Sequence, residues 1–214
     1  MKKLITLFLT LLPLVIHARQ QTAVSDNPHM NFHGVYIGLN AGVQNVFGGS
    51  FVNDMDILAQ DTRFVSEIAI GYRTPLLKNK LVLGLEFSLG FLDADLEHVD
   101  STEPLRIQYE NSAQNSLGLT AGFLLGRKKR SLLFLYANET KRKFEVAIDQ
   151  PPYNFNQTDK QGMLKYGIGL EYKLFPRLGI RSTYGGLHVD FGELETNIDV
   201  EDKQDFTFGL SFQF

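Results

Sequence analysis

Large apolar residues alternate with small or polar residues along most of the chain. The last segment, FTFGLSFQF, places four phenylalanines and a leucine on one face and Thr207, Gly209, Ser211 and Gln213 on the other. A period of two is that of an extended strand, whose successive side chains point to opposite faces of a sheet. The same alternation occurs in GVYIGLNAGVQ, LVLGLEFSLGF, SLGLTAGFLLG and LKYGIGLEYKL. The pattern therefore predicts a chain of β-strands.

One segment, SLLFLYANET, is apolar on both faces and does not reveal its orientation. We assign Leu132, Phe134 and Tyr136 to the apolar face, because the opposite assignment would put Glu139 and Lys141 there. With this strand, two weaker copies of the alternation bring the predicted number of strands to eight. The weaker copies lie at residues 64–73 and 178–185.

The predicted strands set large apolar rows against rows of glycine, serine and charged residues. A soluble sandwich would need the glycine-rich face as its core or the leucine-rich face in water. A soluble ligand-carrying barrel would likewise turn its glycines toward water. Lipid suits the apolar face, and ten residues at ~3.3 Å each, tilted by about 45°, cover an apolar band of roughly 25 Å. We therefore predict an all-β fold, an eight-stranded antiparallel up-and-down transmembrane β-barrel.

The connections between the predicted strands alternate in length. TPLLKNK, GRKKR and FPR are brief links after strands two, four and six. The other links are long, near residues 45–61, 93–113, 140–161 and 186–204. Outer-membrane barrels have short periplasmic turns and long extracellular loops. The alternation predicts four loops outside the cell and both chain termini in the periplasm.

The first residues, MKKLITLFLTLLPLVIHARQ, read as a secretory signal peptide. Two lysines precede an apolar run of roughly 13 residues, which is shorter than the roughly 20 of a membrane-spanning helix. Cleavage after Ala18 gives a signal peptide at 1–18, a polar arm at 19–31 and a barrel at 32–214.

Composition excludes several classes of protein. The chain has no cysteine, so neither a disulfide scaffold nor a lipid-modified cysteine is expected. The formal net charge of −3 is too small to imply a nucleic-acid partner.

Three stretches carry a resemblance to a known family. FHGVYIGLNAG, GIGLEYKL with its tight turn into LGIRSTY, and FTFGLSFQF resemble the OmpA-like outer-membrane β-barrel family. The resemblance implies a location in the outer membrane of a Gram-negative bacterium. We expect a monomer there, in contact with outer-membrane lipid and lipopolysaccharide. It does not fix an activity, since members act as anchors, adhesins, evasion proteins and small pores. The terminal strand resembles the signal read by the barrel-assembly machinery, carried here by Phe206, Phe208, Leu210, Phe212 and Phe214.

Catalysis and metal binding are weakly supported. Some eight-stranded barrels modify lipid A with histidine, serine and an acidic partner, and the candidates here are His98 and His188 with Ser101 or Ser182. No third group stands at a suitable spacing, so we expect no enzyme and no cofactor. One acidic segment could collect divalent cations loosely, although we expect a solvated loop. Its acidic residues are Asp190, Glu193, Glu195, Asp199, Glu201 and Asp202.

We expect function to lie in the external loops, as non-catalytic binding to a host or surface ligand. The third loop, KRKFEVAIDQPPYNFNQTDKQ, mixes cations with aromatic rings in a way that suits protein or anionic sugar, although a solvated disordered loop is the alternative. The residues concerned are Lys141, Arg142, Lys143, Phe144, Tyr153 and Phe155.

Charged residues on the inward faces predict a plugged lumen. If the FPR turn is centred on Pro176, Glu171 stands opposite Arg181 and the two form an ion pair. Glu67 and Glu86 are close to opposite, and Arg181 could reach between them across the narrow lumen. Because unpaired buried charges cost several kcal/mol, we expect a connected network with at most a small, flickering conductance. The alternative is a wet lumen in which these charges are hydrated. The predicted network comprises Glu67, Glu86, Glu171, Arg181, Lys165, Arg73 and Lys173.

Overall fold

The computed structural model shows a closed barrel of eight antiparallel strands, which confirms the predicted fold. It describes residues 32–52, 55–77, 80–99, 106–150, 153–190 and 204–214. Each strand pairs with its neighbours in sequence, and β8 pairs with β1 to close the sheet. The strands are β1 (Gly34–Val52), β2 (Met55–Leu76), β3 (Leu81–Val99), β4 (Arg106–Leu125), β5 (Ser131–Gln150), β6 (Tyr153–Lys173), β7 (Leu178–Asp190) and β8 (Gln204–Gln213).

The predicted signal peptide and polar arm, at residues 1–31, lie outside the described residues and remain predictions. In the described ranges, no helix is long and apolar enough to cross a membrane.

The two faces of the sheet have the composition that the alternation predicted. In β8, every second residue from Asp205 to Gln213 is buried and the residues between them are exposed. Outward leucine, isoleucine, valine, phenylalanine and tyrosine side chains ring the barrel, including Leu39, Ile68, Leu119 and Phe208. The barrel therefore has an apolar outside and a polar, small-residue inside.

Strand stagger sets which side chains meet in the lumen. Starting at Ile37, the chain of paired residues through β2, β3, β4, β5 and β6 reaches β7 at His188. The chain of paired residues through β8 reaches β7 at Leu178. The two end points differ by ten residues, which is the stagger of the barrel. A stagger of this kind requires tilted strands. Side chains that are distant in sequence therefore share one level of the narrow lumen.

The two ends of the barrel differ. At one end, which we call the turn rim, short connections join β2 to β3, β4 to β5 and β6 to β7, and the chain enters at Phe32 and ends at Phe214. At the opposite end, which we call the hairpin rim, the β1–β2, β3–β4 and β5–β6 hairpins project.

The prediction of long loops at 45–61, 93–113 and 140–161 is wrong. Pairing continues to Val52 opposite Met55 in the first hairpin and to Gln150 opposite Tyr153 in the third. In the β3–β4 hairpin it continues to Val99 opposite Arg106, past one irregularity. Backbone pairing needs no apolar face, so these strands extend beyond the outward apolar rows. The fourth predicted loop lies mostly outside the described residues.

Candidate functional site

The facing of β5 corrects the sequence-based assignment. Leu132, Phe134 and Tyr136 are buried inside the barrel, whereas Leu133 and Leu135 point outward. The prediction relied on keeping Glu139 and Lys141 off the apolar surface. Both do lie on the outer face, where they form an exposed ion pair of 3.9 Å.

These two charges lie at the upper edge of the apolar band. Glu139 is level with Leu117 and Leu164, the last outward leucines of the neighbouring strands. Lys141 is level with Asn115 and Gly162, where the outward apolar rows have ended. Because charge is tolerated near an interface, the strand keeps its leucines outside and its aromatic rings inside.

Glu86 is the centre of one buried group in the half of the lumen next to the turn rim. Its carboxylate forms an ion pair with Arg181 of β7, in which Arg181 Nη2 donates to Glu86 Oε1 at 3.3 Å. The Tyr36 hydroxyl donates to the same carboxylate. The Arg181 guanidinium also lies 4.7 Å from the centre of the Phe134 ring. The Glu86 carboxylate and the Arg181 guanidinium therefore connect β1, β3, β5 and β7.

Glu171 is the centre of a second buried group at nearly the same level. Its carboxylate lies 2.8 Å from Arg73 Nη1 and 3.8 Å from Lys173 Nζ, and it accepts a 2.6 Å hydrogen bond from Ser211 Oγ. The Arg73 guanidinium lies 3.7 Å from the ring centre of Tyr36, which links this group to the Glu86 group. All of these side chains are buried.

The predicted pairing partners are partly wrong. β6 and β7 do pair with Glu171 opposite Arg181, but no ion pair joins the two residues. Arg181 instead extends across the lumen to Glu86, because Glu171 already has two cations beside it. The register of neighbouring strands determines which Cα atoms lie opposite each other. Long side chains in a narrow barrel can nevertheless form ion pairs with residues on the far side of the lumen.

Glu67 and Glu86 are not close to opposite. Glu67 of β2 pairs with Gly90 of β3, whereas Glu86 of β3 pairs with Gly71 of β2. The two glutamates are therefore offset by four residues along the strands, and the predicted repulsive pair does not form. The Glu67 carboxylate instead accepts a 3.3 Å hydrogen bond from Asn40.

A second layer fills the lumen toward the hairpin rim. Lys165 lies 3.4 Å from the Asp205 carboxylate, and its ammonium donates to Gln44 Oε1 at 3.0 Å. Gln114 also donates to Gln44 Oε1, at 3.1 Å, and Arg142 Nη2 donates to Gln114 Oε1 at 3.1 Å. This layer connects β1, β4, β5, β6 and β8.

Sequence reasoning missed most of the second layer. Gln44 occupies an inward position on a predicted strand. Gln114 and Asp205 lie just before predicted strands that begin at Ser116 and Phe206, so extending the alternation by one or two residues could have identified them. Arg142 had been assigned to a loop, and nothing in the sequence signals that β5 continues through it.

Aromatic side chains pack beside the Glu86 and Glu171 groups, which together form the first layer, next to the turn rim. Phe32, which precedes β1, is fully buried and belongs to a cluster with Leu132, Phe134 and Tyr136. Lys173 Nζ lies 5.0 Å from the centre of the Phe32 ring. Gly169 allows the Phe134 ring to lie against β6, since a Cβ there would stand 2.2 Å from a ring carbon.

Of the candidate catalytic residues, Ser182 and His188 are described, and the fold does not bring them together. Ser182 and His188 both lie in the outward row of β7. They are six residues apart, which at ~3.3 Å per residue separates them by about 20 Å along the strand. Both histidine candidates lie in strands and not in loops, although the side chain of His98 is outside the described set, as is Ser101. The acidic segment that starts at Asp190 is likewise outside it. Among described residues, no group of three or more acidic, histidine or cysteine side chains could hold a metal ion.

A closed barrel with an apolar exterior, a polar packed interior and short turns at one end defines a transmembrane β-barrel. A family model, the outer membrane protein beta-barrel domain, matches residues 8–214. The chain belongs to this family, which confirms the resemblance to the OmpA-like barrels. It is an outer-membrane protein of a Gram-negative type of cell envelope. Short turns are typical of the periplasmic end of such barrels.

Solved structures show the same fold. A major outer membrane protein of Thermus thermophilus is similar at a TM-score of 0.50 and 16% identity, over 85% of this chain and 100% of that one. Ail, the attachment invasion locus protein of Yersinia pestis, is similar at 0.44 and 14%, over 83% and 93%. Ail in complex with the heparin analogue sucrose octasulfate gives 0.43 and 13%, over 85% and 99%. No curated protein sequence matches the chain. At these identities, the likeness concerns the fold alone.

Proposed function

We propose that this protein is a non-catalytic surface-binding barrel that presents stiff hairpins outside the cell above a closed lumen. The observation that carries the proposal is the length of the β5–β6 hairpin. Beyond the last outward leucines, pairing continues from Lys141 to Gln150 and from Tyr153 to Gly162. Ten residues at ~3.3 Å each give about 33 Å of paired strand on each side.

A paired hairpin suits recognition better than the flexible loop expected from the sequence. Its backbone is already ordered, so a partner that binds it does not have to order a long loop. Lys141, Lys143 and Glu145 are exposed along it, which supports contacts with a charged host or surface ligand.

The contents of the lumen support closure. Two layers of hydrogen-bonded side chains cross an eight-stranded barrel, which is only just wide enough to be filled by side chains. The alternative function, a small-conductance pore, would require these layers to part.

The positions of Ser182 and His188 support a non-enzymatic role. A serine nucleophile needs its base within hydrogen-bond reach, and about 20 Å of strand separates these two residues. Ser182 and His188 therefore cannot act together as the nucleophile and base of a lipid-A-modifying enzyme, which is the alternative function.

The outward row of β8 supports a role in assembly. Phe206, Phe208, Leu210, Phe212 and Phe214 are all exposed on one face of the closing strand. We propose that the barrel-assembly machinery reads this row, and that lipid and lipopolysaccharide surround the finished monomer.

Shortening the β5–β6 hairpin tests the binding role. Arg142 pairs with Gln161, so replacing residues 143–160 with Asn-Gly closes the hairpin by a tight turn at the same register. We expect adhesion of the bacteria to cultured epithelial cells and to abiotic surfaces to fall at least tenfold. Adhesion counts of cells with equal barrel content provide the measurement.

Two controls accompany this variant. Each shortened barrel must migrate differently on a denaturing gel before and after boiling, because closed backbone pairing resists detergent. The β1–β2 hairpin is shortened in the same way between the paired residues Asn45 and Thr62. Wild-type adhesion by both shortened variants, each properly assembled, would contradict the proposed function.

A further inference from the structure

The three short connections at the turn rim carry cations and no acidic side chain. The connections at 77–80, 126–130 and 174–177 contain no aspartate or glutamate. Arg127 and Lys128 are exposed, while Lys129 and Arg130 are partly exposed. We call the cations whose positions are described the basic collar: Lys80, Arg127, Lys128, Lys129, Arg130 and Arg177.

The collar is held in place by the sheet itself. The backbone carbonyls of three collar residues accept hydrogen bonds from neighbouring strands, so these hydrogen bonds fix the turns at the rim. The donors and acceptors are Leu124 N to Lys80 O at 3.0 Å, Lys173 N to Arg130 O at 2.9 Å and Gln213 N to Arg177 O at 2.7 Å.

The collar lies at the level of lipid headgroups. Phe123 and Leu125 point outward immediately before the β4–β5 turn, and Leu133 points outward shortly after it. Phe175, in the next turn, is also exposed. The first cation of each turn is one or two residues from an apolar side chain. Since a strand rises only ~3.3 Å per residue, these cations lie close to the edge of the apolar band.

The collar has no acidic partner among the residues that the structure describes. Within the described ranges, none of its six cations forms an ion pair. The nearby lumen carboxylates of Glu86 and Glu171 are already paired with Arg181, Arg73 and Lys173. A set of cations therefore lies next to an apolar surface, without an ion pair to any described carboxylate.

We propose that the basic collar binds the phosphate groups of anionic phospholipids in the periplasmic leaflet. Lysine and arginine at a membrane surface attract anionic headgroups, each by about a factor of five in affinity. The adjoining outward phenylalanine and leucine side chains contact the acyl chains of the same lipids. The collar thereby fixes the depth of the barrel in the bilayer, a role separate from binding at the hairpin rim.

Lipid binding to the full chain tests the proposal. The folded barrel is titrated in a zwitterionic detergent with short-chain phosphatidylglycerol or phosphatidylcholine, and bound lipids are counted by native mass spectrometry. The wild type should prefer phosphatidylglycerol, and the R127Q/K128Q variant should bind it at least tenfold more weakly. The matched control R63Q/R106Q removes two cations that lie outside both the collar and the β5–β6 hairpin, and it should bind phosphatidylglycerol as the wild type does.

Added salt should weaken the preference, because exposed charges are screened. Three results would overturn the proposal. The first is equal binding of phosphatidylglycerol by the wild type and R127Q/K128Q, both showing the mobility shift on boiling. The second is an equal loss in R63Q/R106Q. The third is complete displacement of the lipid by millimolar glycerol phosphate, which would indicate a site for soluble anions.

Discussion

Replacement of Glu86 by alanine is expected to lower the free energy of unfolding by about 3–5 kcal/mol. The substitution leaves the buried Arg181 guanidinium without a carboxylate and removes the acceptor of the Tyr36 hydroxyl. A buried charge that loses its partner keeps the cost of its desolvation. Urea unfolding of the barrel in lipid vesicles, followed by tyrosine fluorescence, measures the change.

Glu139→Ala is the matched control. It also removes a glutamate from an ion pair, but the pair with Lys141 is exposed at the outer face, with an N–O distance of 3.9 Å. We expect a change below about 1 kcal/mol. The E86A/R181A double variant should lose less than the two single variants together, because no unpaired guanidinium remains. Equal losses in E86A and E139A would contradict a buried charge network.

Phe134→Ala is expected to cost about 3–5 kcal/mol. The ring is only 2% exposed, lies against Gly169 and supports the Arg181 guanidinium, so its removal leaves a cavity in the lumen. Leu135→Ala alters the next residue of β5, which is 64% exposed and points outward. Lipid can fill the space that it leaves, so only the transfer free energy of about 1.5–2 kcal/mol is lost.

The same vesicle unfolding experiment compares these two variants. Their order tests the facing of β5, which the sequence could not decide. A larger loss for Leu135→Ala than for Phe134→Ala would reverse that facing.

Much of the barrel could be predicted from period-two patterning. Seven of the eight strands show which face is apolar, and the FPR turn gives the register that sets Glu171 opposite Arg181. These features are local, because alternation and turn length are written in consecutive residues.

The features that the sequence did not reveal depend on other strands. The facing of β5 depends on where the apolar band ends on β4 and β6, at Leu117 and Leu164. The extended hairpins depend on pairing that polar residues maintain as well as apolar ones. The partner of Arg181 depends on the width of the lumen and on the cations beside Glu171, and neither can be read from one strand.

Planar-bilayer recording of the unmodified protein tests the central claim, that side chains close the lumen, most directly. Two hydrogen-bonded layers, one around Glu86 and Glu171 and one around Gln44, stand between the two rims. We predict at most a small, flickering conductance, which rises when Arg181 is replaced by alanine. A steady, large conductance in the unmodified protein, unchanged by Arg181→Ala, would contradict the account.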